Sequence, residues 1–332
     1  MRNDPKCMLA MPKLLLVLGM ISSLAAAPAR AEALQTAAPR MSFVTLGTQA
    51  GPEPSPTRSQ PSNLVRLGST NVLVDVGEGA VAQLTKAGVG LGEVQAVAIS
   101  HLHFDHIGGL FGFLSLRYQA RLDGPLTIYG PPGTRVMVER LLAAMQPGAE
   151  TMASVRGGGA PGDSPIRIVE IDRRGARFDI GGIAVTAAEN SHFHIIADVP
   201  AGSRPVSLAF RFDAAGRSIV YTGDTGPSTG VERLCAGADI LVSEMMDPVA
   251  TIARLRRERP GMAPELLARA EVHFRRAHLA PEEVGRLARR CRAKMVVVTH
   301  TDVERAALPA ARDAIAREYD GIVLVAEDLQ EF

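Results

Sequence analysis

The sequence predicts a layered α/β fold, and three observations lead to this prediction. From Met41 onward, short β-rich runs alternate with helical stretches, and no internal linker divides them. Several apolar runs lack the strict alternation of a half-buried strand, as expected when both faces of a sheet are covered. Four of these runs also lead directly into a titratable residue. We therefore expect a single mature domain over residues 32–332.

Six apolar runs are predicted strands, and four of them lead into a titratable side chain. The runs cover residues 72–76, 94–100, 126–129, 218–222, 240–243 and 295–299. The side chains that follow four of them are His101, Asp224, Glu244 and His300. In layered α/β folds the carboxyl ends of strands aim side chains into a shared crevice. One such strand end would be ordinary, whereas four indicate a common site.

Residues 1–31 are predicted to be a signal peptide. Basic residues precede an apolar run that begins at Leu14, and the small residues Ala29-Arg30-Ala31 indicate cleavage before Glu32. A membrane anchor is the alternative, but the run is short for a spanning helix and the A-x-A pattern favours removal. We therefore expect a periplasmic or secreted protein without stable membrane insertion.

The charge balance gives no general attraction to polyanions. Thirty-six lysines and arginines nearly cancel 35 aspartates and glutamates, which leaves a net charge of +1. A near-neutral chain has no overall pull toward nucleic acid or anionic membranes. We therefore expect a small-molecule ester as substrate and nucleic acid as an unlikely partner.

Two cysteines, Cys235 and Cys291, would remain after cleavage of the signal peptide. Each lies near the end of a probable helix just before an apolar strand. This position favours buried, inert thiols over a disulfide, although the sequence does not decide between the two. Neither cysteine belongs to a C-x-x-C pair, which argues against a thiolate metal site.

The sequence does not assign a single role to two loops and a helical insert. The proline-rich loop at 51–60 and the glycine-rich loop at 156–162 are either lids that border the site or plain surface connections. A helical insert between Met246 and Phe274 carries an arginine-rich segment at 254–259. A solvated helix face is the favoured interpretation of those arginines, and an anion site is the alternative.

The run His101-Leu102-His103-Phe104-Asp105-His106 has the composition of a metal-binding segment. Alternate side chains of an extended segment point the same way, so its first two histidines share one side. The aspartate and the third histidine add a carboxylate and another nitrogen as the chain turns. Neutral imidazole and carboxylate suit zinc, with iron and manganese as competitors, whereas these groups would repel and desolvate one another without a metal.

One catalytic metal needs about four ligands, including a position for water, so this run alone does not complete two sites. Further candidate ligands are His192, Asp224 and His300. His278 is considered below as a catalytic residue. This leaves His194 and His273 as structural or exposed histidines.

The His-x-His-x-Asp-His run, followed in order by His192, Asp224 and His300, resembles the metallo-β-lactamase superfamily of hydrolases over nearly the whole mature chain. The resemblance implies a four-layer αβ/βα sandwich with two zinc ions at its upper edge. It also implies the ligands: His101, His103 and His192 for one ion, Asp105, His106 and His300 for the other, and Asp224 bridging both.

More specifically, residues 45–48, 126–131 and 325–329 are similar to the ribonuclease Z and arylsulfatase-like branch. In that branch a carboxylate orients a histidine that acts near the leaving group, and Glu244 and His278 match these two residues. Taken alone, His278 would equally fit an ordinary neighbour of a helix cap. The resemblance also makes Asp75 an acceptor that orients a ligand imidazole.

We expect a hydrolase that uses a water molecule activated by two zinc ions, with manganese or iron possible, on a phosphodiester or sulfate ester. Asp105 would hold a metal and help to orient the water, and His278 would protonate the leaving oxygen. Because a secreted protein would not normally meet transfer-RNA precursors, a ribonuclease Z-like endonuclease ranks below an arylsulfatase or phosphodiesterase. Lactam or lactone hydrolysis ranks third.

A binding protein that keeps the metal scaffold without turnover is the non-enzymatic alternative. Damaged ligand positions would normally accompany such a loss, whereas every expected ligand position is filled here. A homodimer is common in the resembling group, and we retain it as an open expectation.

Overall fold

The computed structural model describes residues 39–332 except 153, 155, 156, 158, 197 and 198. Runs of β-branched and aliphatic residues form two mixed sheets in it. The predicted signal peptide lies outside the described residues. The first sheet has the order β14-β1-β2-β3-β4-β5-β6. Its strands are β1 (Ser42–Gly47), β2 (Ser62–Leu67), β3 (Thr70–Val76), β4 (Ala96–Ala98), β5 (Leu126–Gly130), β6 (Ile166–Glu170) and β14 (Gln330–Glu331).

The second sheet has the order β13-β12-β11-β10-β9-β8-β7. Its strands are β7 (Ala176–Ile180), β8 (Ile183–Glu189), β9 (Leu208–Ala214), β10 (Arg217–Tyr221), β11 (Ile240–Met245), β12 (Met295–Thr301) and β13 (Ile322–Val325). In each sheet, antiparallel pairs at one side give way to parallel pairs at the other.

Helices connect the parallel strands and cover the outer face of each sheet. On the first sheet they are α1 (Ala80–Lys86), α2 (Phe104–Ile107), α3 (Leu110–Gln119), α4 (Thr134–Ala144) and α5 (Gln146–Thr151). The later helices are α6 (Thr229–Leu234), α7 (Pro248–Glu258), α8 (Pro264–Ala277), α9 (Pro281–Cys291) and α10 (Leu308–Ala316). A proline opens α7, α8 and α9, where its fixed φ suits the first helical position.

Three apolar clusters show how the layers pack. The central cluster joins residues of both sheets, such as Phe43 and Val74 with Phe210 and Val242. A second cluster lies between the first sheet and α1, α3 and α4, and a third lies between the second sheet and α6, α9 and α10. The protein therefore has four layers, with the two sheets in the middle and helices on both outer faces, which confirms the predicted α/β sandwich.

All six predicted strands are present, and the largest difference is at β4. The prediction spans 94–100, whereas β4 ends at Ala98. Ile99 still donates from its backbone N to Tyr129 O at 2.8 Å, but the backbone N of Ser100 donates to the side-chain carboxylate of Asp75 instead of to a backbone carbonyl of a neighbouring strand. The chain therefore leaves the sheet just before the first predicted metal ligand.

The favoured interpretation of the cysteines is wrong, because Cys235 and Cys291 form a disulfide with a Cα–Cα distance of 5.3 Å. Cys235 follows α6, and Cys291 is the last residue of α9. Both helices pack on the same face of the second sheet, which brings their carboxyl ends together. This proximity arises from the tertiary structure, and the spacing of the two cysteines in the sequence does not indicate it. Separately, none of the described helices has the length and apolar character needed to cross a bilayer.

Candidate metal centre

Seven side chains converge at one end of the two sheets. The run after β4 and into α2 supplies four of them, a 3-10 turn after β8 supplies His192, the loop after β10 supplies Asp224, and β12 supplies His300. His101, His106 and His192 are fully buried. His300 has a φ of 41°, a left-handed conformation that non-glycine residues adopt rarely. The structure thus brings together every residue predicted as a ligand.

The ligand atoms fall into two groups. One contains His101, His103, His192 and Asp224, and the other contains Asp105, His106 and His300; within each group one ligand atom per residue lies within 4.8 Å of the others. The Asp224 carboxylate lies between the groups. Its Oδ2 is 3.8 Å from His101 Nε2, and its Oδ1 is 3.3 Å from His106 Nε2 and 3.4 Å from His300 Nε2. This geometry lets Asp224 serve both groups.

Several atoms of this cluster fit metal ligands because they are otherwise unsatisfied. His101 Nε2, His106 Nε2 and Asp224 Oδ1 are buried and have no hydrogen-bond partner within the described part of the chain. Leaving such polar atoms buried and unpaired is costly, whereas coordination of a cation would satisfy all three. The donor set of imidazole nitrogens and carboxylate oxygens suits divalent zinc.

The pKa shifts of His101, His192 and Asp105 agree with metal binding. Burial lowers the pKa of His101 and brings that of His192 to about 3, so both imidazoles are neutral near pH 7. Burial opposes ionisation of Asp105, but His106 and His300 outweigh it and bring its pKa to about 2. Neutral imidazoles and an ionised carboxylate are the forms that bind metals. Burial opposes protonation of His106 and His300, but Asp224 and the other nearby carboxylates outweigh burial and raise the pKa of both imidazoles, so a bound cation would have to displace a proton from each.

Asp75 contacts the imidazole of His106 and fixes its orientation. Its Oδ2 accepts from the Ser100 hydroxyl at 2.8 Å and the Tyr221 hydroxyl at 2.8 Å, and lies 2.9 Å from His106 Nδ1. A carboxylate with these partners fixes Nδ1 of His106 as the protonated nitrogen and turns Nε2 toward the candidate ion. The structure thus places Asp75 against His106, one of the imidazoles that the family resemblance assigns as ligands.

Glu244 and His278 form a buried pair beside the ligands. His278 follows α8, and its Nδ1 lies 3.0 Å from Glu244 Oε2. Glu244 is also fixed by Thr225, whose backbone N donates to Oε1 at 2.8 Å. Burial lowers the pKa of His278, but Glu244 outweighs burial and raises it to about 9. The His278 ring lies 5.1 Å from that of His192, so a cationic imidazole borders the metal ligands.

His273 is a site residue that sequence reasoning missed. The expectation of a structural or exposed histidine fits His194, whose side chain is 53% exposed beside Glu189. It does not fit His273, whose Nε2 lies 3.4 Å from His278 Nε2 and whose ring packs edge-on against that of His192, with ring centres 5.6 Å apart. Burial brings the pKa of His273 to about 4, so it is neutral and can accept a hydrogen bond from His278. Its place on α8 depends on how the helical insert docks, which local sequence does not reveal.

The proline-rich loop borders the site, whereas the described part of the glycine-rich loop contacts α3. Gly51 packs directly against the Asp105 side chain, where any Cβ would collide with the carboxylate. Glu53 in the same loop pairs with Arg259 of the helical insert. Of the loop at 156–162, residues 156 and 158 are outside the described part; Gly159 accepts from the Tyr118 hydroxyl of α3 at 2.7 Å.

Comparison with known proteins agrees with this geometry. Residues 70–301 match the sequence model of the β-lactamase superfamily domain. The ribonuclease Z of Mycolicibacterium paratuberculosis (strain ATCC BAA-968 / K-10) is 32% identical over 302 residues, which cover 86% of this chain and 96% of the relative.

Solved structures give the same fold. The metallo-β-lactamase fold protein YhfI from Bacillus subtilis aligns with a TM-score of 0.62 at 19% identity, covering 88% of this chain and 98% of that one. Human tRNase Z, short form, aligns with a TM-score of 0.59 at 23% identity and the same two coverages.

These findings correct one expectation. The relatives are ribonucleases, and the human neighbour is named for activity on transfer RNA. The prediction that nucleic acid is an unlikely partner is therefore wrong. It relied on the net charge of the whole chain, which does not report how charge is distributed around a site.

Proposed function

The chain belongs to the β-lactamase superfamily, in its ribonuclease Z branch, and is a metal-dependent hydrolase of ester bonds; on this premise we propose that it is a phosphodiesterase that cleaves RNA. One observation carries the proposal. Asp224 lies between two groups of metal-ligand atoms, and the Glu244–His278 pair lies beside both of them. A phosphodiester needs these parts, because its cleavage requires charge neutralisation at the phosphoryl oxygens and a proton for the leaving oxygen.

Each part of the site has a role in this proposal. Two zinc ions, or manganese or iron in their place, would when bound lower the pKa of a water molecule and neutralise charge on the phosphoryl oxygens. Asp105, with its pKa of about 2, remains an anion that binds a cation and orients water. Glu244 holds Nδ1 of His278, which leaves Nε2 to donate a proton to the leaving oxygen. His273 accepts from that Nε2 in the substrate-free protein.

The relatives favour RNA over a sulfate ester as substrate. This reverses the order that the sequence predicted, in which an arylsulfatase or small-molecule phosphodiesterase ranked above a ribonuclease. An RNA-cleaving enzyme and a sulfatase would share this fold and these candidate ligands. The ranking of the two therefore depends on the ribonuclease Z relatives and on the distribution of charge around the site.

Parallel assays of the purified protein test this proposal. We expect cleavage of a labelled single-stranded RNA and of bis(p-nitrophenyl) phosphate, with p-nitrophenyl sulfate turned over far more slowly. A chelator and His192→Ala should each abolish the diester activity, and added zinc should restore only the chelated protein. His194→Ala is the matched control for the small diester, because its exposed ring lies outside both ligand groups. Faster turnover of the sulfate ester than of the diester would overturn the proposal.

A further inference from the structure

We propose that an arginine-lined groove, which begins at His103 and crosses the outer face of β7, β8 and β9, binds the sugar-phosphate backbone of single-stranded RNA. The inference rests on the proposed function and adds to it a path for the substrate. It is carried by the cavities, the strand register and the distribution of charge.

Two cavities join to form this groove. One, of about 1030 Å³, is lined by His103, Phe193 and Arg204 and therefore opens from the metal centre. The other, of about 930 Å³, lies over the outer face of β7–β9 and is bordered by α6. Arg173 and Arg174 line both cavities. The two cavities are therefore adjacent parts of one groove that leads away from the candidate ions.

The strand register builds the floor of the groove. The outward-facing residues of β8 are Ala184, Thr186 and Ala188, which are small and leave a trough. Thr186 pairs with Arg177 on β7 and with Arg211 on β9, so the two arginines flank the trough in one cross-strand row. Neighbouring strands are about 4.8 Å apart, which separates the two arginine backbones by roughly 10 Å. A groove of this extent suits a polyanion better than a single small anion.

The groove concentrates positive charge on a nearly neutral protein. Its arginines outnumber its carboxylates by six to three: Arg173, Arg174, Arg177, Arg204, Arg211 and Arg233 against Asp172, Glu189 and Asp213. The carboxylates that bond Arg174 and Arg211 lie two residues away on the same segment and hold those guanidinium groups in place.

Arg177 and Arg233 are the arginines best placed to bind phosphate. Both are exposed, and neither has a carboxylate partner among the residues that the structure describes. An unpaired guanidinium at the edge of a trough can form bidentate hydrogen bonds with a phosphate without first giving up an internal partner.

Phe193 supplies a feature that single-stranded RNA would use. Its half-buried ring lines the first cavity and lies 5.2 Å from the His103 ring. An unstacked base can pack on such a ring, and basic side chains with a nearby aromatic are the usual combination for binding single strands. A base on Phe193 would place the adjoining phosphodiester near His103.

The test compares Arg177→Gln/Arg233→Gln with a control of equal charge change, Arg140→Gln/Arg312→Gln, on the exposed faces of α4 and α10. Binding of a labelled 12-nucleotide RNA is measured by fluorescence anisotropy at several salt concentrations, with DNA of the same sequence in parallel. Losing two phosphate contacts should weaken binding roughly 20-fold at 0.1 M salt and reduce the salt slope by about 1.4. Hydrolysis of bis(p-nitrophenyl) phosphate should stay at the parent rate.

The outcomes separate the groove from the proposed function. Unchanged RNA affinity and salt slope in the groove variant, or an equal loss in the control, would overturn the groove. Restored binding in Arg177→Lys/Arg233→Lys would support it, because lysine keeps the phosphate-binding charge. Tight, groove-dependent RNA binding without RNA cleavage would instead overturn the ribonuclease proposal and keep the groove. Equal binding of DNA assigns recognition to phosphates alone, which the proposal includes, whereas exclusive binding of DNA would contradict it.

Discussion

His278 is the residue whose role depends most on one neighbour. Glu244 fixes its Nδ1, and burial beside His192 and His300 places its ring within the reaction space. The pKa of about 9 keeps the imidazole protonated at neutral pH, as a general acid requires.

We predict that His278→Ala keeps its bound metal but loses turnover in a way that depends on the leaving group. Diesters with alkyl leaving groups should lose about 10²- to 10⁴-fold in kcat/KM, because their leaving oxygen needs a proton. Bis(p-nitrophenyl) phosphate should lose far less, since nitrophenolate leaves without one. Elemental analysis and a series of diesters with graded leaving groups would check this. Equal losses across the series would remove His278 from the proton-donating role.

The residues that converge at the candidate metal centre were predictable residue by residue, but their surroundings were only partly so. The run from His101 to His106 is local, and its residue types and spacing define its chemistry. Asp75 could be inferred only through a family resemblance, because its partner His106 is 31 residues away. His273 could not be inferred, since its contact with His278 depends on the path of α8 over the site.

At the scale of elements, the predictable strands are those buried on both faces. β3, β10, β11 and β12 are almost entirely buried, and their continuous apolar runs are visible in the sequence. β7 and β8 expose alternate residues such as Arg177 and Ala184, and their short polar-apolar pattern is a weaker signal. The groove proposed above lies on these strands, so it too was invisible to sequence reasoning.

The link between α6 and α9 gives a prediction at this scale. The Cys235–Cys291 bond spans 56 residues, and closing a loop of that length is worth about 4 kcal/mol by chain-entropy arguments. We expect Cys235→Ala/Cys291→Ala to lower Tm by roughly 8 °C while diester hydrolysis at 25 °C persists. Thermal unfolding followed by circular dichroism would measure this shift.

The control for this prediction is the reductant itself. Tris(2-carboxyethyl)phosphine, a reductant without metal-chelating thiols, should lower the Tm of the parent protein and leave that of the double variant unchanged. A parent Tm that is insensitive to complete reduction, verified by thiol titration, would contradict the prediction. Such a bond persists in oxidising compartments, which agrees with the export that the sequence led us to expect.

At the scale of the whole molecule, the two sheets contribute unequally to function. The run that begins at His101 follows a strand of the first sheet, whereas Asp224, Glu244, His300 and the arginine groove belong to the second. The layered α/β class followed from strand and helix patterns, and the four-layer arrangement was implied by the family resemblance. The charge distribution did not, because it depends on strand register and on which arginines face one trough. A net charge of +1 averages over that arrangement.

The metal centre also joins the two sheets, so its ions should contribute to global stability. The buried Asp224 and the imidazoles around it leave unsatisfied atoms that coordination would satisfy. A ligand present at about 1,000 times its dissociation constant stabilises the folded state by about 4 kcal/mol, which corresponds to a Tm shift on the order of 8 °C. We therefore expect chelation to lower Tm by that amount and zinc to restore it. His194→Ala should respond as the parent does, whereas His101→Ala/His300→Ala should be insensitive to both treatments. A parent Tm that stays constant while elemental analysis shows complete loss of metal would refute this coupling, because ions that join both sheets cannot leave without a change in the free energy of unfolding.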